Sequence, residues 1–540
     1  MNALAQRARM KGEKNVRKAV GVRRRFKNVA LDGVVNVVFI FLIVADTWAS
    51  PDDWTHYGHV AARQSISVDG PNTIDGSTLE WVADEDPQDP NFGILFETAA
   101  GVVVYNEMVY GYARYYNEGG DYTHSQIVAY DANSGELKWA TVIDQAIWDS
   151  WSTPCVDTKH DWVLVGSGNK VFALDTQSGT IDWSTSLEKN IVNASVCAAL
   201  DIPKARAFIA DYDGFGSTGK LYCINLDPNE PSNPYNPGEI VWSATLGSTS
   251  GNSPAYNNGV VYAGCISGTS TGYGTLYAFD AAAEPDAVKL WETSDPNFAG
   301  FSGGVTVTDE GFLYAANYNW ADEIEDNSKL CKIDCNDGSI LWTTDTERTN
   351  CMPVVVGDKI YLSGGIDGWG SRPKVQAYQD FGDSAVKLWQ TDVSMVLGGW
   401  TAQPVYANRK LYVGAIDLGG NYFGTYTDLY ILDVNLMPTD PGFIIDTFAG
   451  GGNSPAVTYD SIYTIGYDEA AGYDRLLKFK QPALLADIKK DGFVDSHDLE
   501  RMKDRWLYTQ PKGVNRSDLN LDGVVNLLDF GLLANEWSGP

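Results

Sequence analysis

Residues 126–139 read Gln126-Ile-Val-Ala-Tyr-Asp131-Ala-Asn-Ser-Gly135-Glu-Leu-Lys-Trp139. The same frame returns without a gap at 170–183, with Asp175, Gly179 and Trp183, and at 329–342, with Asp334, Gly338 and Trp342. Each copy has an apolar run suited to a β-strand, an Asp that opens a tight turn, a Gly where positive φ is needed, and a second run ending in Trp. Looser copies end at Trp242, Trp291 and Trp389, and a seventh ends near Phe448 with the Trp replaced. The spacing of about 44 to 59 residues is that of propeller blades.

Upstream of each turn lies a recurring pair of strands, as in Ser253-Pro254-Ala255 followed by Val260-Val261-Tyr262-Ala263, or Ser454-Pro455-Ala456 followed by Ile462-Tyr463-Thr464. Eight such units begin near residues 94, 152, 195, 253, 302, 353, 403 and 454. The eighth lacks an outer strand, whereas Thr78-Leu79-Glu80-Trp81 has the outer-strand signature with no unit before it. Joining the two closes a ring and removes the free edge of the last sheet, which predicts an all-β, eight-bladed β-propeller over residues 50–480.

The string Ala-x-Asp-x-x-Ser-Gly-x-x-x-Trp, at Ala129–Trp139 and Ala173–Trp183, resembles the tryptophan-docking repeat of quinoprotein (PQQ-like) dehydrogenases and their non-enzymatic relatives, over nearly all of residues 51–480. The resemblance implies that each Trp packs between neighbouring blades, so the repeat reports architecture and not chemistry. Dehydrogenases of this kind carry a vicinal disulfide beside the quinone. No two of the seven cysteines here are adjacent, no quinone-binding residue can be matched position by position, and a quinone cofactor is not expected.

Toward the end of the chain, Asp518-Leu-Asn520-Leu-Asp522-Gly523-Val524-Val-Asn526-Leu-Leu-Asp529 sets side-chain oxygens at positions 1, 3, 5, 9 and 12 of a twelve-residue loop. Gly523 allows the sharp turn at position 6 and Val524 lends a backbone carbonyl at 7, which completes the donor set of a calcium site. A second loop lies 31 residues earlier, with Asp487, Lys489, Asp491, Gly492, Asp495 and Asp498 at positions 1, 3, 5, 6, 9 and 12 and Phe493 at 7. Lys489 replaces an oxygen with a cation, which predicts weaker calcium binding there. Leu499, Met502 and Trp506 recur at the same offset as Phe530, Leu533 and Trp537, the stripes of two short helices that would face each other.

Two such loops, each ending in Asp and each followed by one helix, resemble a type I dockerin over about residues 484–540; with its linker the module is assigned residues 481–540. The resemblance implies calcium and a cohesin-like protein partner. It departs from the family at loop positions 10 and 11, which carry much of cohesin recognition and here hold Ser496 and His497 in one loop, Leu527 and Leu528 in the other.

The first 30 residues hold ten Lys and Arg and are followed by an apolar run, Val34–Ala45, interrupted only by Asn36. With Thr47 and Ala49 at positions −3 and −1 of a cut, residues 1–49 read as a signal peptide. An uncleaved anchor is one alternative, and Arg23-Arg24-Arg25-Phe26-Lys27 keeps twin-arginine export as another. The protein is then expected to be secreted or at the cell surface, with the periplasm as an alternative, and to meet a membrane only in transit. Without residues 1–49 the chain has 29 Lys and Arg against 67 Asp and Glu. So acidic a protein is an unsuitable partner for nucleic acid, whose binding depends on neutralising phosphates. Cys155, Cys197, Cys223, Cys265, Cys331, Cys335 and Cys351 all fall in strand-like segments and read as mostly buried thiols.

In a propeller the loops joining second and third strands share one face, and seven of these eight are expected to be long and rich in aromatics, carboxylates and glycine: 112–124, 211–219, 267–274, 317–328, 367–372, 417–427 and 467–474. Tyr115, Trp320, Trp369, Tyr422 and Tyr473 are the candidate ligand-face residues, since aromatic plates beside acceptors suit sugars; the alternative is that they only cover the blade tops. Asp211-Tyr-Asp213-Gly and Asp322-Glu323-x-Glu325-Asp326 are further candidate cation sites. His56-x-x-His59 lacks a third ligand and reads as local packing. No nucleophile elbow, phosphate loop or dinucleotide fingerprint occurs. The leading reading is an exported, non-enzymatic propeller presenting one face to a glycan or a protein and tethered through its dockerin. The rivals are a carbohydrate-active enzyme, glycosidase or lyase, of a polysaccharide-degrading complex, and a quinoprotein dehydrogenase.

Overall fold

A computed structural model of the protein describes residues 53–535 apart from 68, 84–93, 97–99, 117–121, 145–151, 213–215, 248–251, 267–272, 300–303, 320–327, 367–371, 408, 417–425, 459, 469–472, 482–487, 489–493, 495, 508–516 and 521–522. The expected signal peptide lies outside these residues. The strands form eight mainly antiparallel sheets, seven of them with four strands in sequence from the axis outward, as in blade 2: Cys155–Asp157, Trp162–Ser167, Lys170–Asp175 and Ile181–Ser186. The inner strands of the following blades begin at Cys197, Ala255, Val305, Val354, Val405 and Asn453, within two or three residues of the expected unit starts. Blade 1 differs. Its inner strand is Val102–Tyr105, and the segment expected to open it, Ile94–Phe96, is a fifth strand farther along the same neighbour.

Blade 8 is built from both ends of the chain. Leu79–Ala83 pairs antiparallel with Tyr473–Lys480, in the register Leu79↔Phe479 and Val82↔Leu477, and so supplies the missing outer strand. The ring is closed.

The repeated Asp, Gly and Trp now have physical roles. Asp131 and Asp175 each accept backbone N–H groups two and three residues on, which shapes the turn. Those bonds favour the carboxylate: the Ser134 N–H holds Asp131 below the usual range, and the Ser178 hydroxyl and N–H do so for Asp175. The glycine has positive φ, 72° at Gly135, 68° at Gly179 and 75° at Gly338. It also lies beneath the Trp of the preceding blade, where an added Cβ would come within 2.8 Å of Trp81, 2.5 Å of Trp139 and 2.7 Å of Trp291. Indole N–H groups then bond across the seams, from Trp81 to the Ala132 carbonyl (3.1 Å), Trp139 to that of Thr176 (3.1 Å), Trp242 to that of Ala283 (3.0 Å), Trp291 to that of Cys335 (2.8 Å) and Trp342 to the Asp380 carboxylate (3.0 Å). Where blade 7 lacks the Trp, Phe448 meets Phe479 edge-on at 4.8 Å. The apolar core accordingly lies between blades, in seven clusters that follow the seams. Six cysteines are buried and Cys335 is half-buried, all as thiols.

Each inner strand leaves one edge unpaired toward the axis, and residues 53–67 occupy that space. Trp54 exchanges two backbone bonds with Val104 of blade 1, at 2.7 and 2.9 Å. Val156 of blade 2, Tyr256 of blade 4, Val307 of blade 5 and Tyr406 of blade 7 donate their N–H groups to the carbonyls of Thr55, Ala61, Ala62 and Ser65. Ala198 of blade 3 donates to His56 Nε2 (3.2 Å), and the Tyr57 hydroxyl is bonded to Ser454 of blade 8. Gly58 packs on Met352 at the entry to blade 6, where a Cβ would sit 2.9 Å from the methyl. Arg63 is fully buried, and its guanidinium donates to the carbonyls of Tyr57, Ser195, Val196 and Pro254. The segment is an axial plug.

Candidate functional site

The strand directions divide the ring into two faces. One carries the hairpins between first and second strands and the Asp-Gly turns; the other carries the loops between second and third strands and the connections between blades. Both ends of the plug lie on the turn face, since the Asn106 N–H donates to Asp53 in one hairpin and Lys410 Nζ, beginning a second strand, donates to the Gly70 carbonyl. Tyr473–Lys480 also runs down to this face, where the Gln481 N–H donates to the Asp460 carbonyl. The chain therefore enters and leaves the propeller on the same side.

The loop face is only partly as expected. Trp320, Trp369 and Tyr422 lie outside the described residues, as do Asp213 and the Asp322–Asp326 cluster. Tyr115 and Tyr473 are not in loops: Tyr115 belongs to Met108–Tyr116 and pairs with His124, and Tyr473 begins Tyr473–Lys480 and pairs with Asp468. In these two blades the strands run into the stretches whose composition suggested loops. Asp211 is buried and spoken for, accepting from the Tyr222 hydroxyl (2.8 Å) and the Lys220 N–H (2.7 Å). Beside Tyr473, burial pushes Asp474 up to about 7 against the opposing pull of Arg114. Composition gave no hint of this group, because its environment comes from a strand of blade 1.

At the axis, His56 and His59 serve the plug. His56 Nε2 accepts from Ala198, and its other nitrogen lies 2.9 Å from Thr55 Oγ1, while burial and Arg63 hold its pKa well below the ordinary value. His59 stacks on Trp54 at 4.5 Å. These residues do not fit a quinone. The axis is taken by the chain itself, and without adjacent cysteines the vicinal disulfide of the dehydrogenases cannot form.

The calcium-loop module has its own small core of Ile488, Val494, Met502, Leu519, Val525 and Leu533. Its helices are Ser496–Asp504 and Leu527–Asn535. Met502 and Leu533 are buried as the stripes predicted, but Trp506 and Phe530 are about 40% exposed, because loop residues complete the core in their place. Trp537 lies outside the described residues. In the second loop Asp518 and Asp529 are both buried. Asp518 Oδ2 accepts the Gly523 N–H (2.9 Å), and Asp529 accepts those of Leu519 (2.6 Å), Asn520 (3.1 Å) and Asn526 (2.7 Å). Two buried carboxylates turned into one loop, with the Val524 carbonyl bonded to the Asn526 side chain, suit a hard cation. Asp522 lies outside the described residues, as do Asp487, Asp491, Phe493 and Asp495 of the first loop, whose Asp498 is fully buried.

Comparison with known proteins agrees with both parts. The type I dockerin profile matches residues 485–537, and the PQQ-like repeat profile described as outer membrane protein assembly factor BamB matches residues 93–231 and 272–420, more than half of the chain. No curated protein matches. Among solved structures, quinohemoprotein alcohol dehydrogenase from Comamonas testosteroni aligns with a TM-score of 0.52 at 12% identity, covering 81% of this chain and 81% of that one. A europium-containing methanol dehydrogenase gives 0.51 at 12% identity, over 80% of this chain and 98% of that one. The quinohemoprotein alcohol dehydrogenase ADHIIG from Pseudomonas putida HK5 gives 0.51 at 12% identity, over 80% and 82%. At such identities the likeness is one of fold. The chain belongs to the PQQ-like β-propeller repeat family and carries a type I dockerin domain, a module that binds calcium and implies a cohesin partner.

Proposed function

We propose that this protein is a secreted binding propeller, without catalytic activity of its own, that offers its loop face to a glycan or a protein while its dockerin fixes it to a cohesin-bearing scaffold. The observation that carries the reading is the plug: residues 53–67 fill the axis and the chain enters and leaves the propeller on the turn face, which supports reading the opposite, loop-bearing face as the one offered to a ligand. Trp320, Trp369 and Tyr422 are proposed as its aromatic contacts, together with Tyr115 and Tyr473 at the strand ends.

Calcium is proposed to be held by Asp518, Asn520, Asp522, Val524, Asn526 and Asp529, and more weakly by Asp487, Asp491, Phe493, Asp495 and Asp498. Leu527 (73% exposed), Leu528, Phe530, Trp506 and Leu507 are exposed apolar side chains of this module and are proposed to meet a cohesin with an apolar docking surface. A catalytic reading retains one observation, the near-neutral carboxyl of Asp474 on the loop side. The deciding experiment screens the chain lacking residues 1–49 on a glycan array and in a cohesin pull-down, each with and without EDTA. The reading expects loop-face binding that survives EDTA and cohesin binding that does not. Turnover of a bound glycan, abolished by Asp474→Asn, would replace it.

A further inference from the structure

On the turn face, His160 sits in the hairpin between the first two strands of blade 2, with both ring nitrogens against carboxylates. Nδ1 lies 2.7 Å from Asp157 Oδ2, and Nε2 lies 3.0 Å from Asp227 Oδ1, which belongs to blade 3. Asp157 is fully buried and also accepts the N–H groups of Lys159 and His160; Asp227 accepts the Ala205 N–H. The ring stacks on Trp162 at 5.1 Å, and Trp162 meets Trp183 edge-on at 5.7 Å. An imidazole placed between two acceptors satisfies both only when both nitrogens carry protons. We propose that His160 is a proton-operated latch across the seam between blades 2 and 3, closed in the imidazolium form.

The surrounding charges fix which contact opens. Lys159 Nζ, at 2.6 Å, remains on Asp227 when His160 is neutral, and Asp157, Asp161 of the same hairpin and Asp53 all act on Tyr105 of blade 1. Asp182 is engaged by the Trp162 indole N–H at 2.7 Å. In the next seam, between blades 3 and 4, Arg206 and Lys204 are paired with Glu284 and so stand apart from the latch. Neutral His160 keeps one N–H, which stays on the buried Asp157, so its Nε2 lone pair then faces Asp227 and the inter-blade contact is lost. Burial works against the charged ring, but the bonds to Asp157 and Asp227 outweigh it and raise the pKa. A raised value stabilises the fold below the unfolded pKa and loses that contribution as pH rises through the folded one, so the latch opens toward alkaline pH.

The test is an NMR titration of carbon-13-labelled histidine in the chain lacking residues 1–49, together with melting curves at about pH 6 and pH 9. His160 should titrate above the ordinary 6.5. Asp227→Asn should lower that midpoint at least threefold in proton affinity while other histidines stay unmoved, and His160→Gln should at least halve the fall in Tm between the two pH values. If His160→Gln fails to fold, the Asp227→Asn titration decides alone. A His160 midpoint at or below 6.5, or one indifferent to Asp227→Asn, would overturn the latch.

Discussion

At the residue scale, the turn glycines Gly135, Gly179, Gly238 and Gly338 each do two things that a side chain would undo. Gly179 has a φ of 68° and lies where a Cβ would stand 2.5 Å from the Trp139 ring and 2.8 Å from Thr141 Oγ1, while Gly311 has a φ of 84° with nothing within 4 Å. The pair separates backbone strain from crowding. Gly311→Ala should cost about 1–2 kcal/mol, the left-handed penalty alone. Gly179→Ala should add an overpacking cost of about 1–3 kcal/mol and shift the Trp139 emission, because the indole must leave its slot. Equal losses in urea melts would mean the docking contact is idle. The Asp-x-x-x-Gly frame was readable in the sequence because a tight turn needs those residues locally. The surroundings of Asp474 and His160 were not, because they are set by side chains of other blades.

At the element scale, the plug and the calcium loops show opposite kinds of legibility. The loop from Asp518 to Asp529 announces itself because all its donors lie within twelve residues. The plug does not. Trp54-Thr55-His56-Tyr57-Gly58-His59 has neither strand nor helix periodicity, and the plug's partners are remote in sequence, as with Gln403, which bonds Ser65 across 338 residues. The aromatics Tyr115 and Tyr473 were misplaced for a related reason: cross-strand pairing carried the strands beyond the point where local composition suggested loops. For the calcium module, a domain of this size with a small core, six buried side chains among the described residues, is too small to fold unaided, so metal binding and folding should be one event. EDTA should therefore melt residues 485–537 while the propeller signal persists. Asp518→Ala should weaken calcium binding more than Asp487→Ala, because Lys489 has already weakened the first loop. Equal losses by calorimetry would remove the asymmetry.

At the scale of the whole molecule, closure joins parts of the chain about 400 residues apart, since Leu79–Ala83 completes the sheet of Asn453–Val457, Ser461–Asp468 and Tyr473–Lys480. The ring therefore cannot be finished until its last blade exists, and the plug, bonded to inner strands all around the axis, cannot be fully held before then either. Contacts of such sequence separation delay folding and leave strand edges open in the meantime. Deleting residues 75–85 should make that open state permanent. The outer edge of Tyr473–Lys480 loses its partner, and the slot over Gly135 loses Trp81. Removing a buried Trp alone costs about 3–5 kcal/mol, so Trp81→Ala should lower stability by that order and stay monomeric, because the closing strand remains. The deletion should go further and aggregate through the exposed edge. Light scattering beside thermal melts on the two variants distinguishes them. A deletion variant that stayed monomeric with an unchanged melt would show that blade 8 holds without the N-terminal strand, and that the plug alone keeps the ring together.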